Sequence, residues 1–329
     1  MELEYGAPLR PWRQKTLRDF LARQGLDYDE RIEYTVNLLE NEEIIATGSL
    51  SGNIFKCIAV DPARQGEGLT ATVITELRKE AFRRGIRHLF LYTKPKNRMM
   101  FSDLDFYPVA ETADTLLMEN TRNGARDFVS TLETRPCGGP VGAVVANCNP
   151  FTLGHRYLME QAAAACELLH VFILSEDKSL IPAAHRLALA RAGTADLENV
   201  IVHPTGDYLI SAATFPTYFI KDKERAADIR CDLDLEIFCS YFAPALGITR
   251  RFVGTEPLSP VTEAYNRRMM VFLPPRGIQV TELPRWEQNG SPISASRVRA
   301  LLSERDWPAI AQLVPKTTLS YRRERFGVE

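Results

Sequence analysis

The sequence predicts an α/β chain of two domains, the second a doubly wound, mainly parallel sheet. Three observations carry this. At 329 residues the chain exceeds what one hydrophobic core usually serves. Chain breakers cluster at Thr134-Arg135-Pro136-Cys137-Gly138-Gly139-Pro140, between two differently patterned regions, which sets the expected domains at 1–135 and 136–329. Beyond that boundary short apolar strands alternate with helical periodicity, the pattern of βαβ units.

Taken in order, residues 32–39 and 43–49 read as paired strands around Glu40-Asn41-Glu42, and 53–60 as a third strand. A glycine-containing turn leads into a helix over 69–84, and a strand over 87–93 ends at Lys94-Pro95. After the boundary, strands are expected at 141–146, 169–175, 199–203, 249–254 and 277–283, helices at 154–168 and 183–192, and a partly helical stretch at 222–245. In such a sheet ligands sit at the carboxyl ends of the strands, near the point where strand order reverses.

Composition narrows the function classes. Apolar residues make up 45% and charged residues 25%, as in an ordinary globular enzyme, and the net charge of −2 gives no expectation of a nucleic-acid partner. The six cysteines (Cys57, Cys137, Cys148, Cys166, Cys231 and Cys239) contain no CxxC pair and no zinc spacing with a histidine. Reduced thiols in a cytoplasmic protein, with no bound metal among the site residues, are the expectation. The start, Met1-Glu2-Leu3-Glu4-Tyr5, lacks the apolar core of a signal peptide, and no apolar run reaches the ~18 residues of a membrane helix, so no membrane partner is expected.

Two segments carry phosphate chemistry. The strand at 141–146 is followed by the turn Asn147-Cys148-Asn149-Pro150-Phe151 and a helix opening near Thr152-Leu153-Gly154-His155. Such a junction aims backbone N–H groups and the positive helix end at one spot, which suits a phosphate group. Gly154 lets the backbone come close, and His155 can donate to a phosphate oxygen as charge develops. A plain turn with a histidine at the helix start is the competing reading. The second segment is Ile293-Ser294-Ala295-Ser296-Arg297-Val298-Arg299. Ser294 is an expected N-cap, Ser296 lies in the first turn, and Arg299 can add a charge-assisted contact. An ordinary capped helix is its competing reading. In the first half, Val60-Asp61-Pro62-Ala63-Arg64-Gln65-Gly66-Glu67-Gly68-Leu69-Thr70 follows a strand and opens a helix, so its successive N–H groups can cradle a pyrophosphate.

These motifs resemble known families. Thr152-Leu153-Gly154-His155 resembles the (H/T)xGH signature of the nucleotidyltransferase superfamily in its threonine variant, with Asn149 where many relatives have aspartate. Ile293 to Arg299 is similar to the second signature, Ile-Ser-Ser-Thr-x-x-Arg, with Ala295 and Ser296 as departures. The two lie in the family's order, roughly 140 residues apart. The resemblance implies that Asn147, Asn149, Thr152, Gly154, His155, Ser294, Ser296 and Arg299 bind ATP. It further implies that Lys178 and Arg186 act on the phosphates and that Gly254-Thr255 lies near the adenine. His155, Lys178 and Arg299 become the catalytic candidates. The loop at 65–70 is similar to the acyl-CoA loop of the GCN5-related acetyltransferases. It implies an acetyltransferase-like first domain in which Gln65, Gly66, Gly68, Thr70 and Asn97 hold an acyl or pantetheine arm, although Thr70 and Asp105 depart from the pattern.

An acetyltransferase-like domain ahead of a Thr-x-Gly-His domain resembles the citrate (pro-3S)-lyase ligase family, as do Asn149 to Leu158 and Gly254-Thr255-Glu256-Pro257 with Pro260-Val261-Thr262. That resemblance implies ATP with magnesium, acetate, and the phosphopantetheine-type thiol of citrate lyase's acyl carrier subunit as reactants and partner. Two other readings stand beside it: adenylyl transfer onto a phosphate ester such as a pantetheine phosphate, and a non-catalytic nucleotide-binding regulator.

Overall fold

The computed structural model describes residues 1–7, 9–176, 179–209, 218, 220, 223–257, 259–288 and 290–326, with side chains for all of these except 223–225 and 322–326. They form two compact units, one of Met1–Ala125 with Thr214–Leu233, the other of Arg126–Ala213 with Asp234–Glu329.

The first unit is a seven-stranded mixed sheet. Its strands are β1 (Glu2–Gly6), β2 (Tyr34–Glu40), β3 (Glu43–Ser51), β4 (Ile54–Val60), β5 (Phe90–Thr93), β6 (Tyr107–Glu111) and β7 (Leu116–Glu119), in the order β1-β2-β3-β4-β5-β7-β6. All neighbours are antiparallel except β4 and β5, whose parallel pairing is confined to Ile54↔Phe90 and Phe55↔Leu91. Helices α1 (Pro11–Arg23), α2 (Leu69–Arg83) and α3 (Arg98–Ser102) accompany it. Along α2, Leu69, Val73, Leu77 and Ala81 recur at a four-residue spacing and are buried with Phe55 and Phe106 in one core. Each buried leucine or valine among them contributes roughly 2 kcal/mol of transfer free energy.

The expected strand at 87–93 starts only at Phe90, because the Asn120 side chain accepts from the Leu89 N–H and donates to the Arg87 carbonyl. Asp105, standing where the acetyltransferase pattern has glycine, takes a left-handed φ of 56°. Aspartate is one of the few residues that tolerate that region.

The second unit opens with α4 (Gly124–Ser130), whose first residues belong to the other unit, and holds a five-stranded, all-parallel sheet. Strands β8 (Val141–Ala146), β9 (Leu168–Ile173), β10 (Val200–Pro204), β11 (Arg250–Gly254) and β12 (Gln279–Leu283) run in the order β10-β9-β8-β11-β12. The chain winds outward from β8 to β10 and then crosses to β11 and β12 on the other side. This is the doubly wound fold the alternation predicts, with its switch point between β8 and β11.

Helices α5 (Leu153–Ala164) and α6 (Ala183–Gly193) supply Met159, Ala162, Leu189 and Ala190 to a core with Val144, Phe151, Leu169, Val171 and Phe252. The opposite face of β9 and β10 carries a buried histidine pair, His170 Nδ1 and His203 Nε2 being 2.9 Å apart.

Helix α5 stops at Ala164 rather than 168. No glycine or proline breaks the chain between Ala162 and Ile173, and the boundary is marked instead by Glu167 accepting from Gly138 N–H. The stretch expected at 222–245 resolves into α7 (Lys223–Ile237), a π-helical turn at Phe238–Phe242 and α8 (Ala243–Leu246). Helix α9 (Pro260–Phe272) was not anticipated, although Ser259 caps it by accepting from Thr262 N–H and proline fills its first position. Helices α10 (Ala295–Glu304), α11 (Trp307–Ala311) and α12 (Lys316–Phe326) complete the unit. Among the described residues no helix is long and apolar enough to cross a membrane.

Candidate active site

The turn after β8 delivers the first motif to the switch point. Thr152 is the N-cap of α5, and its Oγ accepts from His155 N–H at 3.3 Å. His155 closes the box in return: its Nδ1 accepts from Thr152 N–H at 3.1 Å and lies 2.8 Å from Thr152 Oγ. A histidine thus fills the position where a capping box usually has Glu or Gln. Since Nδ1 accepts a backbone N–H, the ring proton of the neutral imidazole sits on Nε2. Burial and the positive charge of Arg285 push the His155 pKa down to about 4, so at neutral pH the ring is an uncharged Nε2–H donor. It stacks on fully buried Phe151, with centroids 5.9 Å apart.

The first turn of α5 has one donor to spare. Leu153 N–H goes to the Leu313 carbonyl, His155 N–H to Thr152 Oγ and Arg156 N–H to the Thr152 carbonyl, while Gly154 N–H has no partner among the described residues. Gly154 has a packing reason as well, since a Cβ there would lie 3.0 Å from the Ile293 carbonyl oxygen. That contact sets the second motif beside the first.

In the second motif Ser294 is the N-cap of α10, accepting from Arg297 N–H at 3.1 Å. The N–H groups of Ala295 and Ser296 make no hydrogen bond among the described residues. Arg299 ties the motifs together: Nη1 donates to the Asn149 carbonyl at 2.7 Å and Nη2 to Ser296 Oγ at 2.9 Å. Two helix N-termini, one neutral histidine and one arginine therefore converge at the carboxyl end of β8.

Asn147, Asn149 and Arg186 form the frame behind them. Arg186 is fully buried and donates to the carbonyls of Ile181 (3.0 Å), Asn147 (2.9 Å), Leu174 (2.7 Å) and Glu176, and to Asn147 Oδ1 at 2.6 Å. Asn149 Oδ1 accepts from Ile181 N–H at 3.1 Å. These bonds fasten the loops after β8 and β9 to each other. Lys178 lies outside the described residues.

On the far side of the switch point, the Gly254 carbonyl accepts from Asn266 Nδ2 at 2.9 Å. Thr255 clasps the loop after β12: its Oγ accepts from Arg285 N–H at 3.1 Å and its carbonyl from Arg285 Nε at 2.6 Å. Arg285 also pairs with Glu256. Sequence reasoning passed over Arg285. The available signal was its position, two residues beyond a parallel strand at the ligand end of the sheet.

In the first unit, Gly66 and Gly68 have φ of 88° and 74°, a region that favours glycine, and Gly68 is the N-cap of α2. A Cβ at either position would meet nothing within 4 Å, so the loop is open on that side. The N–H groups of Leu69, Thr70 and Ala71 have no partners among the described residues, and no side chain caps them. Gln65 is extended, and Arg64 is held by Glu67 at 2.7 Å and by Glu40. Asn97 follows β5 and donates to Thr93 Oγ at 2.9 Å. The parallel pairing of β4 with β5 places both segments beyond the carboxyl ends of neighbouring strands.

Comparison with known proteins adds three findings. Residues 141–322 match the family model of the citrate lyase ligase C-terminal domain, and residues 1–102 that of the acetyltransferase (GNAT) family. The citrate (pro-3S)-lyase ligase of Klebsiella pneumoniae is 44% identical over 94% of this chain and 92% of its own length, and that of Escherichia coli 42% over 93% and 89%. The crystal structure of Thermotoga maritima TmcAL bound with alpha-thio ATP shares 14% identity, covering 57% of this chain and 56% of that one with a TM-score of 0.38.

Proposed function

The chain belongs to the citrate (pro-3S)-lyase ligase family, and we propose that it uses ATP and acetate to acetylate the prosthetic-group thiol of citrate lyase's acyl carrier subunit. The observation that carries the phosphate chemistry is the convergence of His155 Nε2–H, the Gly154, Ala295 and Ser296 N–H groups, and Arg299.

The reaction has two steps. An acetate oxygen attacks the α-phosphorus, forming acetyl adenylate and expelling pyrophosphate with the electrons of the α–β bridge. The thiol then attacks the acyl carbon, giving the thioester, with AMP leaving and the thiol proton released to solvent. Neither step uses a side-chain nucleophile, so the protein supplies orientation and charge neutralisation. His155 donates to an oxygen of the reacting phosphate, and Arg299 and Lys178 neutralise the triphosphate. Thr152 fixes the His155 tautomer, and Ser294 and Ser296 set the second helix N-terminus on the phosphates. Arg186, Asn147 and Asn149 hold the loops in register, while Gly254 and Thr255 border the base.

Magnesium enters with the triphosphate as its counter-ion. Among the described residues no three of His, Cys, Asp and Glu are grouped to hold a metal, and the chain's own cations and N–H groups would share the neutralisation with it. Gln65, Gly66, Gly68, Thr70 and Asn97 steer the phosphopantetheine-type arm in a first domain that ends near residue 135. A cytoplasmic protein is the setting this chemistry requires.

Exchange of labelled pyrophosphate into ATP tests the reading. Acetate-dependent exchange, strongly reduced in His155→Ala, is expected. Exchange supported only by a phosphomonoester would replace this reading with adenylyl transfer to a phosphate ester, and ATP binding without any exchange would leave a regulator.

A further inference from the structure

Arg285 stands at the carboxyl ends of β11 and β12, on the side of the switch point facing the two phosphate motifs. Three bonds fix it, to Thr255 Oγ, the Thr255 carbonyl and the Glu256 carboxylate. Its side chain runs beside Gly254, with Cγ 4.0 Å from where a Cβ on that residue would be. These contacts use the backbone N–H, Nε and Nη2. Nη1 makes no hydrogen bond among the described residues, and the side chain is 26% exposed. The next residue, Trp286, lies against Tyr157 with ring centroids 6.0 Å apart, which seats the segment on the first turns of α5 just beyond His155. A guanidinium held on two corners with its third left open is a preorganised anion receptor.

We infer that Arg285 is a phosphate-binding residue of the nucleotide pocket, clasped by Thr255 and Glu256. The inference deepens the proposed ATP-binding role of this site and rests on it. Several charged groups among the described residues are brought to this end of the sheet. On α5 itself Arg156 is paired with Glu160 and Asp196. From α6, Arg186 is enclosed by carbonyls, and from α10, Arg299 lies on the Asn149 carbonyl. From the loops after β11 and β12 come Glu256 and Arg285. Of these, Arg285 is the charge felt at His155, where it adds to burial in disfavouring the protonated ring.

The test uses the full chain with Arg285→Gln and Arg285→Lys, and reads two quantities without turnover. Binding of magnesium–ATP by equilibrium dialysis should weaken roughly ten- to a hundredfold in Arg285→Gln, as for loss of one charge-assisted contact, and less in Arg285→Lys. NMR of histidine-labelled protein, with the His155 signal assigned from His155→Gln, should show its titration midpoint rising by about half a unit to one unit in Arg285→Gln and staying near the wild-type value in Arg285→Lys. A purely structural clasp would lower Tm equally in both variants and leave the midpoint where it is. Unchanged ATP affinity with an unmoved midpoint, or equal losses in the two variants, would overturn the inference. Absence of ATP binding by the wild-type chain would instead overturn the nucleotide reading beneath it.

Discussion

The chain contains two strand–turn–helix junctions of the kind that can hold a phosphate, and they are built differently. At β8–α5 side chains brace the turn: Thr152 and His155 cap each other, Asn149 holds Ile181, and Arg186 and Arg299 brace the loop from behind and in front. At β4–α2 the helix start is uncapped, two glycines keep the backbone open, and the nearest arginine, Arg64, is neutralised by Glu67 and Glu40. Both supply a helix dipole and free N–H groups. Only the first adds fixed cations and a neutral donor. The contrast teaches that one junction offers an anion only backbone N–H groups, whereas the other adds the preorganised side chains that stabilisation of developing charge requires.

The largest expected effect breaks the first junction's chemistry. His155→Ala should lower acetate-dependent exchange about 10²–10³-fold, the usual loss for one transition-state donor, with circular dichroism unchanged. A loss under about tenfold would place the catalytic burden elsewhere in the site.

Next comes the frame. Arg186→Met removes a buried cation bonded to four carbonyls and one side-chain amide oxygen, and should destabilise the chain by about 3 kcal/mol, read as a lowered urea midpoint. An unaltered midpoint together with weakened ATP binding would assign Arg186 to the nucleotide itself.

A smaller effect separates the units by pH. Burial pushes the pKa values of His155, His170 and His203, all in the second unit, well below the ordinary 6.5. Their folded pKa values are depressed, so between about pH 6.5 and pH 4 the unfolded chain takes up protons the folded unit refuses, and stability falls as pH drops through that window. Between pH 7 and pH 5 the loss should be about 2 kcal/mol or more. Trp12 belongs to the first unit and Trp286 and Trp307 to the second, so fluorescence-monitored urea unfolding of Trp12→Phe reads the second unit alone. A midpoint independent of pH over this range would mean that the histidines are solvated.

Much of the second unit is legible in the sequence, because β8 and β9 are largely apolar runs and α5 and α10 start at recognisable caps. The ends of β8, β10 and β11 fall within a residue or two of where pattern and breakers place them. Less could be read where long-range contacts decide. Strand β7 is a short buried segment whose pairing with β5 and β6 has no local signal. The reciprocal bonds of Thr152 and His155 follow from spacing, but the burial that keeps His155 neutral is tertiary, and the charge that adds to it comes from Arg285, 130 positions further along the chain. Gly154 was read as making room for a ligand, and the structure adds a second reason in the Ile293 carbonyl. Arg186 was read through its family position, yet its surroundings are carbonyls, which a sequence does not display.

The central claim is a division of labour, with adenylate formation at the β8–α5 junction and delivery of the thiol arm by the β4–α2 loop. It is tested most directly in Gly68→Ala, where a side chain is forced onto a backbone of φ 74° at the mouth of the open loop, at a cost of about 1 kcal/mol. Acetate-dependent pyrophosphate exchange and acetylation of the carrier thiol are measured on the same preparation. The account predicts exchange at the wild-type rate and thiol acetylation slowed severalfold through a raised KM for the carrier. Equal loss of both rates, or acetylation that proceeds unchanged, would contradict it.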